Sequence, residues 1–379
     1  MTTSLAIVVG DTHLAERTWA GRRTLTGDSF NSFLQATTEA IRRRLPMVLL
    51  GDIFDAKNLS SGVLQFFCDQ MDKLQEQHIP VYYVQGNHDC VTPPWPSVHK
   101  WPIHINATIV RLGPASGPQC ECYGLDYFPV GRYAAELSRI PETAKVLFTH
   151  QAWADFGKMG SSDAAMSQML PRGITVATGD LHIAIYSHGT AANGDSVLLM
   201  SPGATCMQAI NEPQQHFVYE MRLQPDGVVS FDPIPLWTRL VYEFVCTSQE
   251  EFDAAVLRIA GLPKSAIATD TTLYAIDTPI VRVRYPISVN EDSYVRLVAA
   301  AAKSGSHLFT DPQLEESPQS TISVEDVHTE RMSTLQDAIQ LLDAEKQEVR
   351  DLATRMLPHA DNVLGFLSEF QKEYAQGAV

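Results

Sequence analysis

Short runs of apolar residues recur along the first half of the chain, each broken by a small polar motif. Leu5-Ala6-Ile7-Val8-Val9 leads into Gly10-Asp11-Thr12-His13, Met47-Val48-Leu49-Leu50 into Gly51-Asp52-Ile53-Phe54-Asp55, and Val81-Tyr82-Tyr83-Val84 into Gly86-Asn87-His88-Asp89. Val146-Leu147-Phe148 leads into Thr149-His150, and Ile174-Thr175-Val176-Ala177 into Gly179-Asp180-Leu181-His182. Such runs predict strands buried on both faces, as in parallel sheets. The motifs then fall at strand carboxyl ends, the edge of an open α/β sheet where ligands bind.

Between the runs the apolar period changes to three and four. Phe30, Phe33, Leu34, Thr37 and Ile41 predict a helix packed on the sheet, and residues 61–77 a second, with Val63, Leu64, Phe67, Met71 and Leu74 on one face. Phe66 is left over on another face and hints at a dimer surface. The tract from Thr92 to Pro102 predicts an irregular loop, because proline fixes φ and removes a donor. Its His99, and His104 just beyond, read by default as surface or satisfied polar residues and, among the histidines outside the motifs, are the ones that could reach a substrate.

The prolines of Phe231-Asp232-Pro233-Ile234-Pro235 predict a domain boundary, after which a smaller α/β unit begins. Leu240 to Val245 reads as a strand, and Ser248 with Glu251 as a capping box opening a helix over 252–259. Ile280 to Tyr285 alternates apolar with basic residues, so a strand with one wet face carries Arg282 and Arg284, either solvated or touching a phosphate backbone. Asn290 caps a further helix through Tyr294, Leu297 and Val298. Residues 303–323 have a linker composition. Met332, Leu335, Ile339, Leu342, Val349, Leu352 and Met356 then predict a long amphipathic helix ended by Pro358, and Val363, Leu367, Phe370 and Tyr374 a last one. These stripes need a surface to bury against, either their own body or a groove on a partner protein. The expected organisation is 1–235, 236–310, a linker over 311–323 and a helical region over 324–379.

Composition adds limits. The chain of 379 residues, 45% hydrophobic and 19% charged, suits a soluble globular protein of two or three domains, and no apolar run approaches the length of a membrane helix. The N-terminus leads directly into a polar motif without a signal-peptide pattern, so a cytoplasmic location is expected. The six cysteines are scattered, without CxxC pairs, which predicts reduced thiols. A formal charge of −16 repels polyanions on average. Against that stand the acids gathered in the motifs and the local bases Arg17, Arg22 and Arg23; Arg42-Arg43-Arg44 is as well explained by compensation of a helix dipole.

The strand-end residues are carboxylates, imidazoles and one amide, an oxygen and nitrogen donor set suited to manganese, iron, zinc or magnesium. A carboxylate has two oxygens and can bridge two ions, which makes Asp52 the natural bridge. Two divalent ions roughly 3.5 to 4 Å apart form a clamp for in-line displacement at phosphorus. His88, beside the Asn87 amide, is placed to protonate the leaving oxygen.

Taken together, Asp11-Thr12-His13, Gly51-Asp52, Gly86-Asn87-His88-Asp89, His150 and Gly179 to His182 resemble the calcineurin-like metallophosphoesterase superfamily. Within it the chain most resembles the nuclease subunit of SbcCD-type DNA-repair complexes and its phage homologues. That narrower likeness rests on Gly51-Asp52-Ile53-Phe54-Asp55, on Ser201-Pro202-Gly203-Ala204, on Val281-Arg282-Val283-Arg284 in a following domain, and on the helical tail. The resemblance implies an α/β two-sheet sandwich flanked by helices, a smaller α/β capping domain and a helical C-terminal tail. It implies one metal held by Asp11, His13, Asp52 and His182, another held by Asp52, Asn87, His150 and Asp180, and His88 as the catalytic histidine. It further implies two divalent ions, manganese or magnesium, 3′-to-5′ exonuclease and endonuclease activity on DNA, and a homodimer. An SMC-like ATPase would bind the tail, through residues such as Leu335, Ile339, Leu342, Leu352, Leu367 and Phe370. DNA contacts would come from Arg17, Arg22, Arg23, His99, Arg282 and Arg284.

The family pattern has histidine where this chain has Asp180. Two divalent ions with Asp11, Asp52 and Asp180 leave a formal +1, where histidine would leave +2, so water is acidified less and manganese or magnesium favoured over zinc. Two other functions share the motifs: a metallophosphatase or phosphodiesterase for proteins or small molecules, and a non-catalytic scaffold with an altered metal site.

Overall fold

Burial on both faces of the apolar runs dictates the layering of the molecule. The structure is a computed structural model that describes residues 2–17, 19, 25–159, 165–262, 276 and 278–313. The expected tail over 324–379, most of the expected linker, and Arg22 and Arg23 lie outside the described residues.

The chain first lays down β1 (Thr3–Val9), β2 (Met47–Leu50), β3 (Val81–Val84) and β4 (Ile103–His104), mutually parallel in the order they occur. It then builds a second sheet from β5 (Thr108–Leu112), β6 (Cys120–Gly124), β7 (Val146–His150), β8 (Thr175–Gly179), β9 (Ile185–Thr190) and β10 (Ser196–Ser201). The centre of that sheet, β6-β7-β8-β10, is parallel, and β5 and β9 close its edges antiparallel. Finally β11 (His216–Leu223) returns to pair antiparallel with β1, and β12 (Val229–Leu236) with β11. Among the described residues this gives two mixed sheets of six strands each.

The period of two decides what each strand buries. Ala6, Val8, Val48, Leu50 and Val84 of the first sheet meet Val146, Phe148, Ala177 and Met200 of the second, forming the core between the sheets. The alternate residues Ile7, Val9, Met47, Leu49 and Val81 face outward under α1 (Asp28–Arg43) and α2 (Ser61–Glu76), against Phe33, Phe67 and Met71. Leu147, Val176 and Leu199 face the other way, under α3 (Tyr133–Leu137) and its flanking loops. The result is the expected α/β two-sheet sandwich flanked by helices.

A third sheet of three parallel strands follows: β13 (Val241–Val245), β14 (Ile280–Pro286) and β15 (His307–Gln313). Its Val281 and Val283 pack under α4 (Gln249–Ala260) and α5 (Glu291–Ser304), against Phe252, Ile259 and Leu297. Where this unit leaves β12, the buried Arg239 forms two 2.9 Å bonds to Asp28 and donates to the carbonyls of Thr26 and Thr278, at 3.0 and 2.8 Å. One guanidinium thus ties the third sheet to the start of α1.

Several expectations are corrected. Phe66 is buried, with its ring 4.6 Å from Phe30 and 6.2 Å from Phe33, because α1 and α2 lie side by side; it offers no dimer surface. Trp95–Val98 is a 3₁₀ turn within the proline-rich tract. Pro233 and Pro235 lie inside β12, tolerated because β12 is the edge strand and needs no donor on its outer side. Residues 307–313, expected to be linker, form β15, paired along β14 by parallel register. At α4, Ser248 Oγ accepts from Glu251 N at 3.2 Å, but the Glu251 carboxylate turns to Thr247 N at 2.7 Å, one residue short of a reciprocal box.

Candidate metal centre

The motifs at the carboxyl ends of β1, β2, β3, β7 and β8 meet at one end of the two sheets. Two backbone bonds lock the first pair of loops, with Thr12 N and His13 N both donating to Asp52 O at 3.1 and 2.9 Å. Asp180 N donates to both Asp11 oxygens, at 3.2 and 3.1 Å, joining the second sheet to the first. Three non-glycine residues here adopt left-handed backbone: His13 (φ 41°), Asp52 (φ 42°) and Asp180 (φ 81°). Each such residue costs about 1 to 3 kcal/mol, and such strain gathers where geometry serves function.

Two groupings of donor atoms emerge. Around His150 Nε2 lie Asn87 Oδ1 at 3.0 Å, Asp52 Oδ2 at 3.4 Å and Asp180 Oδ1 at 3.8 Å. Around Asp11 and His13, His182 Nε2 stands 4.0 Å from Asp11 Oδ2, and His13 Nε2 stands 3.7 Å from Asp52 Oδ2. Asp11, His13 and His182 offer ligand atoms mutually within 4.8 Å, as do Asp11, Asp52 and His150, and His13, Asp52 and His88. Asp52 belongs to two of the three groups.

The donor set fits a cation by two observations. Both ring nitrogens of the buried His13 lack a hydrogen-bond partner among the described residues. Its Nδ1 lies 3.2 Å from Asp55 Oδ1, close enough to hold the Asp55 carboxyl below its usual range but misaligned for a hydrogen bond. A buried imidazole left so is costly unless it meets a cation. The second observation is the excess of negative charge. Burial raises Asp11 above the usual carboxylate range, against the pull of His150. Burial would raise Asp52 too, but the hydrogen bond and charge of His150 bring it down to about 2. Burial would lower His150, yet its bond to Asp52 and the charges of Asp11, Asp52 and Asp180 lift it to about 10. The same negative charge that lifts His150 would favour a divalent ion in place of the proton. His150 Nδ1 donates to Leu50 O at 2.7 Å, which leaves Nε2 as the nitrogen turned to the cluster.

His88 is of another kind. Its side chain is 45% exposed at the mouth of the cluster, its backbone N donates to Asp52 Oδ1 at 2.9 Å, and its Nδ1 donates to Asp55 O at 2.9 Å. That bond leaves Nε2 free, with the ring 5.0 Å edge-on from His13.

Two residues beyond those singled out in the sequence support the centre. Asp89, buried, accepts from Gly86 N (2.8 Å), Ile53 N (2.7 Å) and Phe54 N (3.4 Å), clamping the loops after β2 and β3; burial and the nearby Asp52 push its carboxyl up to about 6. Its place inside the Gly86 to Asp89 motif was visible, though its role was not. Glu212 accepts from His182 Nδ1 at 2.8 Å, from a loop that carries no motif and no periodicity.

Of the residues expected to touch DNA, Arg282, Arg284 and His99 are paired with other side chains. Arg282 lies 3.3 Å from Glu243 and 3.2 Å from Asp311, and Arg284 lies 3.1 and 3.7 Å from the same two carboxylates, since the parallel register sets these acids on the face of the arginines. The wet face of β14 is thus charge-matched within its own sheet. His99 Nε2 bonds Asp72 at 3.0 Å and its Nδ1 accepts from Trp101 N, pinning the proline-rich loop to α2. His104 bonds Asp126 at 2.9 Å and stacks on Tyr83. Arg17 is exposed.

With this geometry in view, residues 6–168 match a sequence model of the calcineurin-like phosphoesterase family. Over that stretch the chain is similar to the calcineurin-like metallophosphoesterase superfamily. A curated relative, the "Uncharacterized metallophosphoesterase YhaO" of Bacillus subtilis (strain 168), is 30% identical over 146 residues. The alignment takes in 38% of this chain and 32% of that protein, so the chain spans about a third of the relative's length. A crystal structure of TT1561 of Thermus thermophilus aligns with a TM-score of 0.36 at 10% identity, over 61% of this chain and 99% of that one. The superfamily implies phosphoester hydrolysis with divalent metals, and the clustered carboxylates and imidazoles are the candidate group to hold them. Among the described residues no helix is long and apolar enough to cross a membrane.

Proposed function

We propose that the chain is a two-metal phosphodiesterase acting as the DNA nuclease subunit of an SMC-like ATPase–nuclease complex. The observation that carries the hydrolytic part is the shared Asp52 carboxylate, with Oδ2 3.4 Å from His150 Nε2 and 3.7 Å from His13 Nε2. Asp11, His13, Asp52 and His182 would hold one ion, and Asp52, Asn87, His150 and Asp180 the other. When bound, the ions supply Lewis-acid charge to the phosphoryl oxygens and a nucleophile at neutral pH.

The chain's own residues do the rest. Asp52 sets the spacing of the two halves of the site, and His150, fixed by Leu50 O, presents Nε2 to one of them. Water oxygen forms the new bond to phosphorus and gives up a proton to solvent as the opposite phosphorus–oxygen bond breaks. His88, entering the step as the imidazolium with its Nδ1–H held by the Asp55 carbonyl, delivers its Nε2 proton to the departing alkoxide oxygen and is left as the neutral ring. The exposure of His88 suits a long substrate laid across the mouth. The order of motifs, the third sheet and the apolar stripes of the tail support the DNA, dimer and ATPase-partner parts of the reading, with manganese or magnesium as the metal.

A metallophosphatase or phosphodiesterase acting on small molecules or proteins is the second reading, favoured by the pairing of Arg282 and Arg284 with Glu243 and Asp311. Labelled linear duplex DNA and bis(p-nitrophenyl) phosphate, each with manganese, separate the two. Cleavage of DNA that drops about 10²- to 10⁴-fold in His88→Ala, with cation binding retained, supports the nuclease. Turnover of the small diester alone supports the second reading, and turnover of neither, with cations bound, supports a scaffold.

A further inference from the structure

We propose that Glu212 is a positioning residue that holds His182 in the tautomer and orientation that turn its Nε2 toward the cation site. The inference rests on reading the centre as a cation site and adds a residue to it from outside every motif. His182 stands at the end of the loop after β8, 30% exposed, with Nε2 4.0 Å from Asp11 Oδ2 and its ring 5.1 Å from that of His13. On its far side Nδ1 meets Glu212 Oε1 at 2.8 Å. An imidazole that donates through Nδ1 has its lone pair on Nε2, the atom facing Asp11 and His13.

The other oxygen of Glu212 explains why the carboxylate stays in place. Glu212 Oε2 accepts from Gln208 N at 2.6 Å and Ala209 N at 3.3 Å, closing the loop between β10 and β11 on itself. The same loop is anchored from outside. Met207 packs with Trp19, Leu25 and Ile280, Ile210 joins that cluster, and Gln214 Nε2 donates to Val241 O at 2.9 Å. The third sheet therefore braces the loop that aims His182.

Glutamate is required by this arrangement. Both of its oxygens face donors, and a carboxylate is acceptor on both sides. Glutamine has the same shape but one oxygen. If that oxygen stays with the two backbone amides, the NH₂ group faces Nδ1, which must then accept, and the ring proton moves to Nε2. A protonated Nε2 cannot ligate.

The test compares the full chain with its Glu212→Gln variant, using manganese ion as the probe. Equilibrium binding is read from the electron-paramagnetic signal of free manganese, and the His182 tautomer from ¹⁵N spectra of the metal-free protein at a pH where the ring is neutral. The expected result is about 10- to 100-fold weaker binding at one site, together with transfer of the ring proton from Nδ1 to Nε2. Equal affinity in the variant overturns the inference, and so does weaker binding without the tautomer change, which would make Glu212 a loop brace only. If the variant does not fold, the wild-type spectrum decides: a proton on Nδ1 supports the assignment and a proton on Nε2 overturns it. A wild type that binds no manganese defeats the reading of the centre itself, an outcome recognisable without the variant.

Discussion

Gly86→Ala probes how tightly the shared carboxylate is held. An alanine Cβ at this position would lie 2.0 Å from Asp52 Oδ1 and 2.4 Å from Asp52 N, where ordinary contact begins at 3.4 Å. Relief needs the oxygen and the end of β3 to separate by about 1.4 Å. Neither side can yield cheaply. Asp52 Oδ1 accepts from His88 N at 2.9 Å, its Oδ2 sits 3.4 Å from His150 Nε2, and Gly86 N is held by Asp89 at 2.8 Å. A misplacement of about 1 Å in a reacting constellation costs on the order of 10²-fold in rate, equivalent to about 2.7 kcal/mol of transition-state stabilisation. The assay is kcat/KM on bis(p-nitrophenyl) phosphate with manganese, beside a urea melt to separate lost activity from lost folding. Gly131→Ala is the control, because a Cβ there meets nothing within 4 Å. A folded Gly86→Ala protein within threefold of wild type would refute the claim that this spacing governs the chemistry.

Three further outcomes are expected. Arg239→Ala strands the buried Asp28 carboxylate and should cost about 3 to 5 kcal/mol in a urea melt, with most of the loss recovered when Asp28→Leu accompanies Arg239→Met; a loss under about 1 kcal/mol counts against a buried pair. Burial alone would raise the Glu220 carboxyl, but bonds from Arg222 and Ser4 and the charge of Arg43 hold it below 4.5. Because the folded value is depressed, the stability it contributes is present above the unfolded value and is lost as pH falls through the folded one. Glu220→Gln should thus be less stable than wild type at neutral pH yet decline less as the pH falls below 4.5, and an unchanged acid slope would contradict this. Stripping cations with a chelator should lower the unfolding midpoint, and manganese at about 100 times its Kd should restore about 2.7 kcal/mol. His13→Ala should lose most of that gain, and a wild type indifferent to manganese would remove the metal centre.

The strand ends were legible because their signal is local. Val48 and Leu50 alternate with Met47 and Leu49 between two cores, so four apolar residues in a row predict a strand buried on both sides, and the glycine and acid that follow predict its end. Equally local signals placed the helices, apolar stripes at helical steps for α1 and α2 and the cap residues Ser248 and Asn290 for α4 and α5. Local signals failed at β12 and β15, where edge position and parallel pairing, neither written into the local pattern, outweighed proline and linker composition.

Sequence by itself determined which residues carry donor atoms and that each stands at the carboxyl end of an apolar run. Only the tertiary structure decided which partners they meet. Glu212 lies 30 residues beyond His182, Arg239 lies 211 residues from Asp28, and Glu243 and Asp311 reach Arg282 from separate strands. Contacts of that kind arise when sheets stack and strands take their register, a choice made by summed burial over the whole core. No single position in the chain bears its mark, so an isolated loop glutamate or a strand arginine reads as solvated until the fold brings its counterpart alongside.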